Sequence, residues 1–202
     1  MKFTVVSGSH RSNSQSAKVA AYIEKELKYL EDSYSVFKFE LANNPLPMWD
    51  ESVWNDGEIW AEHWSPIAKE LQDSDAFVFV VPEWAGMVPP GFKNFMLLCG
   101  NEELGHKPAL LVSVSGSRNG AYPIAEMRMT SSKNNHVVYV PDHVIVRDAE
   151  KMLNSDSPNS DDDKYLRGRM SYSLKMLCEY GEALKKIRSS GIVDYKSFPN
   201  GM

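Results

Sequence analysis

Two cysteines in 202 residues, Cys99 and Cys178, are too few for the disulfide framework that a secreted chain of this size tends to carry. Both lie in apolar helical contexts and read as buried, reduced thiols. No run of about 18 apolar residues occurs, so no segment reads as a membrane span. The opening MKFTVVSGSH holds only a short apolar-leaning stretch, with no small-residue cleavage site behind it, and does not read as a signal peptide. Positive charge is also scarce. Lys and Arg number 22 against 27 Asp and Glu, and the net charge of −5 comes without a basic stripe, which argues against a nucleic-acid surface. Internal repeats and domain-sized linkers are missing too. These absences leave a cytoplasmic chain of one domain, with 43% hydrophobic residues to fill its core.

The hydrophobic residues that are present fall into short runs. Phe3 to Val6, Ala76 to Val81, Ala109 to Val114 and Val137 to Val140 are near-continuously apolar, β-branched or aromatic, and bounded by turn residues. Such runs suit parallel strands covered on both faces. Ser35 to Phe39 reads as a fifth, less sheltered strand. Between them lie helical stripes: Ala20, Ile23, Leu27 and Leu30; Trp60, Trp64, Ile67 and Leu71; Phe92, Phe95, Met96 and Cys99. A weaker helix is expected from Ala121 to Asn134, and a long one from Tyr165 to Ile187. Alternation of strand and helix specifies a doubly wound α/β sheet with strand order 2-1-3-4-5, whose crevice opens between the ends of strands 1 and 3. The acidic stretch Asn154 to Asp163 reads as a solvated loop without the spacing of a calcium loop. Residues 1–188 make the domain; 189–202 form a tail, docked through Tyr195 and Phe198.

Three loops at the expected crevice carry polar chemistry. The first runs Ser7-Gly8-Ser9-His10-Arg11-Ser12-Asn13-Ser14-Gln15-Ser16 and leads into a helix. A helix start offers free N–H groups and partial positive charge, so serines and an arginine there favour a phosphate. The alternative is that Ser12 or Ser14 merely caps the helix. The loop is neither GxGxxG nor a GKS-ending P-loop. The second loop, Pro82-Glu83-Trp84-Ala85-Gly86, offers an aromatic wall and a glycine. The third, Ser115-Gly116-Ser117-Arg118-Asn119-Gly120, is polar and glycine-containing.

At these residues the sequence resembles the NADPH-dependent FMN reductase family, which includes quinone, chromate and azo-dye reductases. Gly8, Ser9, Arg11, Ser14 and Ser16 match its pattern G-S-x-R-x-x-S-x-[SN]. Pro82, Glu83, Trp84, Ala85 and Gly86, then Pro89 or Pro90, Gly91, Phe92, Lys93 and Asn94, are similar to its P-E-Y-N-G-x-x-P-G-x-L-K-N. The likeness runs in order from the N-terminus to about Val140. It departs at Trp84, where the family has Tyr, and at Ala85, where it has Asn. Trp keeps an aromatic surface. Whether the Asn acts through its side chain or its backbone stays open.

The resemblance implies a flavodoxin-like three-layer α/β/α fold that binds FMN. Ser9, Arg11, Ser14 and Ser16 would hold the phosphate; Pro82, Glu83, Trp84, Ala85 and Gly86 would line the isoalloxazine; Ser115 and Gly116 would close the far side. It further implies hydride transfer from NADPH or NADH, in ping-pong order, to a quinone, flavin, azo or metal-oxyanion acceptor, by a homodimer or homotetramer. No catalytic acid, base or metal ligand is expected, since the flavin performs the electron chemistry. His10 and Arg118 are further candidates to meet an anionic cofactor tail. The competing classes are a flavodoxin-like electron carrier for protein partners, which lacks a nicotinamide site, and a flavin-free binding module on the same fold.

Overall fold

Alternation along the strands divides the apolar residues between two cores. In the computed structural model, which describes residues 1–55 and 57–201, the strands are β1 (Lys2–Ser7), β2 (Ser35–Glu40), β3 (Ala76–Pro82), β4 (Pro108–Val114) and β5 (Val138–Val146). The helices are α1 (Gln15–Leu30), α2 (Glu58–His63), α3 (Ser65–Gln72), α4 (Pro90–Leu98), α5 (Asn101–Leu104), α6 (Ala121–Thr130) and α7 (Asp161–Arg188). The five strands form one parallel sheet in the order β2-β1-β3-β4-β5. From β3, Ala76, Val78 and Val80 join α1 and α7 on one face, while Phe77, Phe79 and Val81 join α3, α4 and α6 on the other. Phe77, Phe79, Phe92 and Phe95 are fully buried, each worth about 2–3 kcal/mol of transfer free energy. Among the described residues, no helix is long and apolar enough to cross a membrane.

Five expectations are revised. The Trp60 stripe belongs to two helices, because Pro66 has no N–H to offer Glu62 and its ring crowds that carbonyl; the chain breaks at Trp64. β5 runs on past Val140 through Pro141, which sits at a bulge where the pairing jumps from Ala109–Tyr139 to Leu111–His143. An edge strand tolerates such a proline. Arg128 donates to the carbonyls of Val140, Pro141 and Asp142 at 2.6, 3.0 and 3.3 Å. α7 starts earlier than expected: Ser160 caps it and Asp161, Asp162 and Asp163 fill its first turn, where the helix dipole favours negative charge. The Asn154–Asp163 stretch is therefore not solvated throughout, since the Asp163 side chain is fully buried. The tail docks through Tyr195, which lies against His106 and His136, while Phe198 stays exposed.

Candidate cofactor site

Neighbouring strands β1 and β3 feed helices on opposite faces. α1 packs into the core shared with α7, and α4 into the core shared with α3 and α6. Their connecting loops must therefore part above the sheet, which opens a crevice at the strands' C-terminal ends. Gly8 anchors the first loop by donating to the Val80 carbonyl at 2.8 Å. A Cβ there would meet Phe92 at 2.8 Å and the Val80 carbonyl at 3.0 Å, so only glycine lets α4 pack this close.

The first loop presents donors without protein acceptors. Ser14 is the N-cap of α1, its hydroxyl oxygen accepting from the Ala17 N–H at 3.1 Å. The capping alternative thus holds for Ser14, though its hydroxyl proton remains free to donate. The N–H groups of Gln15 and Ser16, in the first turn, have no acceptor among the described residues. Ser16 is buried, and its hydroxyl has no partner there either. Ser9 is also buried and accepts from the Arg11 N–H at 3.3 Å. Arg11 itself is exposed and forms no ion pair among the described residues. Buried orphan donors are costly, and an anion would satisfy them. This donor set fits the phosphate of FMN.

The second loop is a tight hairpin. Pro82 ends β3, and Trp84 and Met87 exchange backbone hydrogen bonds at 2.9–3.0 Å around Ala85 (φ 50°) and Gly86 (φ 74°). Positive φ at both central positions is the signature of a type I′ turn. Gly86 is therefore needed for its dihedral, not for space: an added Cβ would find nothing nearer than Tyr122 at 3.9 Å. The N–H groups of Ala85 and Gly86 lack acceptors among the described residues, so the turn presents an aromatic side chain beside free donors. That combination suits a flat ring with polar edges.

Two carboxylates anchor this hairpin. Glu83 accepts from the Gly120 N–H at 2.7 Å, linking the second loop to the third, and Glu126 accepts from the Val88 N–H at 2.8 Å while pairing with Lys93. Burial pushes the Glu126 carboxyl up, but Lys93 and the Val88 N–H outweigh it and hold it below the usual value. Pro90 occupies the first position of α4, where a missing N–H costs nothing. In the third loop Ser115 is buried and accepts from the Ser117 N–H at 3.3 Å, while Gly116 is exposed. Two residues named from the sequence carry structural roles that sequence reasoning did not assign. Gly120 holds a left-handed φ of 107°, for which the Asn-Gly pair was the available signal. Asn94 accepts from the Trp49 N–H and donates to the Pro47 carbonyl, fixing the segment after β2 against α4. A cleft of about 540 Å³ lies elsewhere, between α4 and α6, and no residue of the first loop lines it.

Comparison with known proteins finds relatives of the same kind. An NAD(P)H-dependent FMN reductase of Schizosaccharomyces pombe is 30% identical over 122 residues, 59% of this chain and 60% of that protein. A quinone reductase of Pseudomonas putida is 32% identical over 122 residues, 58% of this chain and 62% of its own length. The chain thus spans about three fifths of the curated relatives it matches. Among solved structures, a flavoenzyme NAD(P)H:acceptor oxidoreductase from Paracoccus denitrificans superposes with a TM-score of 0.66 at 20% identity, covering 92% of this chain and 97% of that one. At that identity the likeness speaks for the flavodoxin-like fold alone. The family model for NADPH-dependent FMN reductases matches residues 1–151, which takes in all three loops of the crevice, and this chain belongs to that family.

Proposed function

We propose that this chain is an FMN-dependent oxidoreductase that takes electrons from NADPH or NADH and gives them to a small acceptor such as a quinone, flavin, azo compound or metal oxyanion. One observation carries the reading: the start of α1 gathers a buried orphan hydroxyl at Ser16, free N–H groups at Gln15 and Ser16, and the exposed guanidinium of Arg11. Ser9, Arg11, Ser14 and Ser16 would hold the phosphate. Trp84 with the N–H groups of Ala85 and Gly86 would hold the ring, Pro82 and Glu83 would support that hairpin from below, and Ser115 with Gly116 would border the far side. Bound there, FMN supplies two-electron redox chemistry between the reduced nicotinamide and the acceptor.

The protein's part is to orient and to shield. Glu83 and Glu126 brace the hairpin from both ends, so Trp84 is presented on a rigid support. A single crevice serves donor and acceptor in turn, which makes the turnover ping-pong. No side chain acts as nucleophile, acid or base. Residues 1–188 are the FMN-binding domain and 189–202 an appended tail. The exposed apolar side chains Met87, Leu97, Tyr122 and Met129, on the hairpin, α4 and α6, support a homodimer or homotetramer. Free thiols at Cys99 and Cys178 suit the cytoplasm.

The test is to titrate the purified chain with FMN and then add NADPH anaerobically. Uptake followed by bleaching of the visible band is expected, with turnover restored by a quinone. Arg11→Ala is expected to weaken FMN about tenfold, the loss of one charge-assisted contact, with riboflavin unaffected. FMN uptake without bleaching by either nicotinamide would point to an electron carrier, and no uptake to a flavin-free module.

A further inference from the structure

Between Ser9 and Arg11 in the first loop stands His10, whose side chain does not turn toward the anion site. Its carbonyl accepts from the Asn43 N–H at 3.3 Å, which fixes the main chain against the segment leaving β2. Its ring meets the Trp84 indole edge-on, with centroids 4.4 Å apart and planes at 70°. Nδ1 is buried and has no hydrogen-bond partner among the described residues. A Cβ at Gly91 would come within 3.0 Å of that nitrogen, so the start of α4 admits the imidazole because a glycine stands there. The ring is thus wedged between the hairpin and α4. Through it the first loop touches the second.

We propose that His10 is a positioning residue: it fixes the attitude of Trp84, so that the phosphate-binding loop also sets the aromatic wall of the crevice. This rests on the FMN reading above. Arg11 and His10 are neighbours with separate duties under this assignment. Arg11 acts on the phosphate and discriminates FMN from riboflavin. His10 acts on the ring through Trp84 and affects both ligands alike. A role confined to shaping the phosphate loop would instead weaken FMN and spare riboflavin.

The experiment titrates the full-length chain, stripped of flavin, with FMN and with riboflavin, following the quenching of flavin fluorescence. His10→Ala is expected to weaken both ligands by the same factor, roughly three- to tenfold, the worth of one aromatic edge contact. His10→Phe keeps a ring edge against Trp84 and is expected to restore both affinities. As a second readout, the tryptophan emission of the flavin-free protein is expected to shift in His10→Ala but not when the same change is made in a Trp84→Phe background. Weakening of FMN alone, failure of His10→Phe to restore binding, or an emission shift that persists without Trp84 would overturn the assignment. A wild-type chain that binds neither flavin would bring down the FMN reading and this proposal together. Tight wild-type binding with an unaltered His10→Ala variant would remove His10 only.

Discussion

Ala85 sits at φ 50° in a turn whose two central residues both need a left-handed backbone. For alanine that conformation costs about 1 kcal/mol, whereas asparagine tolerates it and glycine follows directly at Gly86. The Asn expected here from the family pattern therefore has a backbone reason, independent of any contact with a ligand. Ala85→Asn is expected to raise the melting temperature by about 2–4 °C, read by thermal unfolding monitored by circular dichroism. The serines of the first loop separate by the same kind of reasoning. Ser14→Ala removes a helix cap and is expected to cost about 1 kcal/mol of stability in urea unfolding of the flavin-free protein. Ser16→Ala removes a buried hydroxyl that has no partner, so the flavin-free protein is expected to be as stable or more so, while FMN affinity falls. Two losses of FMN affinity would look alike in an activity assay; the stability measurement tells a cap from a ligand.

At the scale of elements, periodicity reveals whatever the main chain does regularly. All five strands, their parallel order and the three crevice loops were legible because apolar runs and turn residues have few other readings. What stayed hidden depended on single atoms or on distant partners. The break at Trp64 needed attention to Pro66 within an intact apolar stripe, and the extension of β5 needed a proline read as a bulge instead of a stop. Ala85 was legible as a departure but not as strain, since the turn type is a tertiary fact. The acidic stretch is exposed from Asn154 to Asp162, as its charge density implies, and only Asp163 departs from that reading. Asp163 instead accepts from the Leu153 N–H at 2.9 Å, the Asn159 N–H at 3.3 Å and Arg167 Nε at 3.0 Å. Burial pushes its carboxyl up, yet these donors outweigh burial and hold it below the usual value. A depressed carboxyl contributes stability above the unfolded value, near pH 4, and loses that contribution as acid approaches its folded value. Asp163→Ala, which removes the buried ion-pair partner of Arg167 and the acceptor of the Leu153 N–H, is expected to cost about 3 kcal/mol at pH 7. Its stability is also expected to vary less than the wild type's below pH 4. Asp156→Ala, at an exposed ion pair, is expected to leave the urea midpoint unchanged.

The whole molecule has two ends, and the tail is fastened to the one away from the crevice. Tyr195 stacks on His106, with centroids 5.8 Å apart and planes at 9°, and leans on His136 at 5.3 Å. A Cβ at Gly105 would lie 2.0 Å from its hydroxyl oxygen, so glycine leaves the room that Tyr195 occupies. His106 and His136 precede β4 and β5, which places the clasp at the sheet's N-terminal edge, about 20 Å from the loops across strands of this length. Arg188, paired with Asp75, donates to the His106 carbonyl, and Gly201 donates to that of Lys133. Burial, with His136 and Arg188 close by, lowers the His106 value. A histidine so depressed takes up its proton more readily when released, so docking is fully present above about pH 6.5 and weakens as the pH falls below it. Protection of the amides over residues 189–201, corrected for the intrinsic pH dependence of exchange, is therefore expected to fall as the pH is lowered from 7 to 5, and Tyr195→Ala to be unprotected at both. FMN affinity is expected to be the same in Tyr195→Ala and wild type, because no residue of the clasp reaches the crevice. Coupling between the two would mean that the sheet transmits strain from one edge to the other, and the tail would then belong to the working parts of the cofactor site.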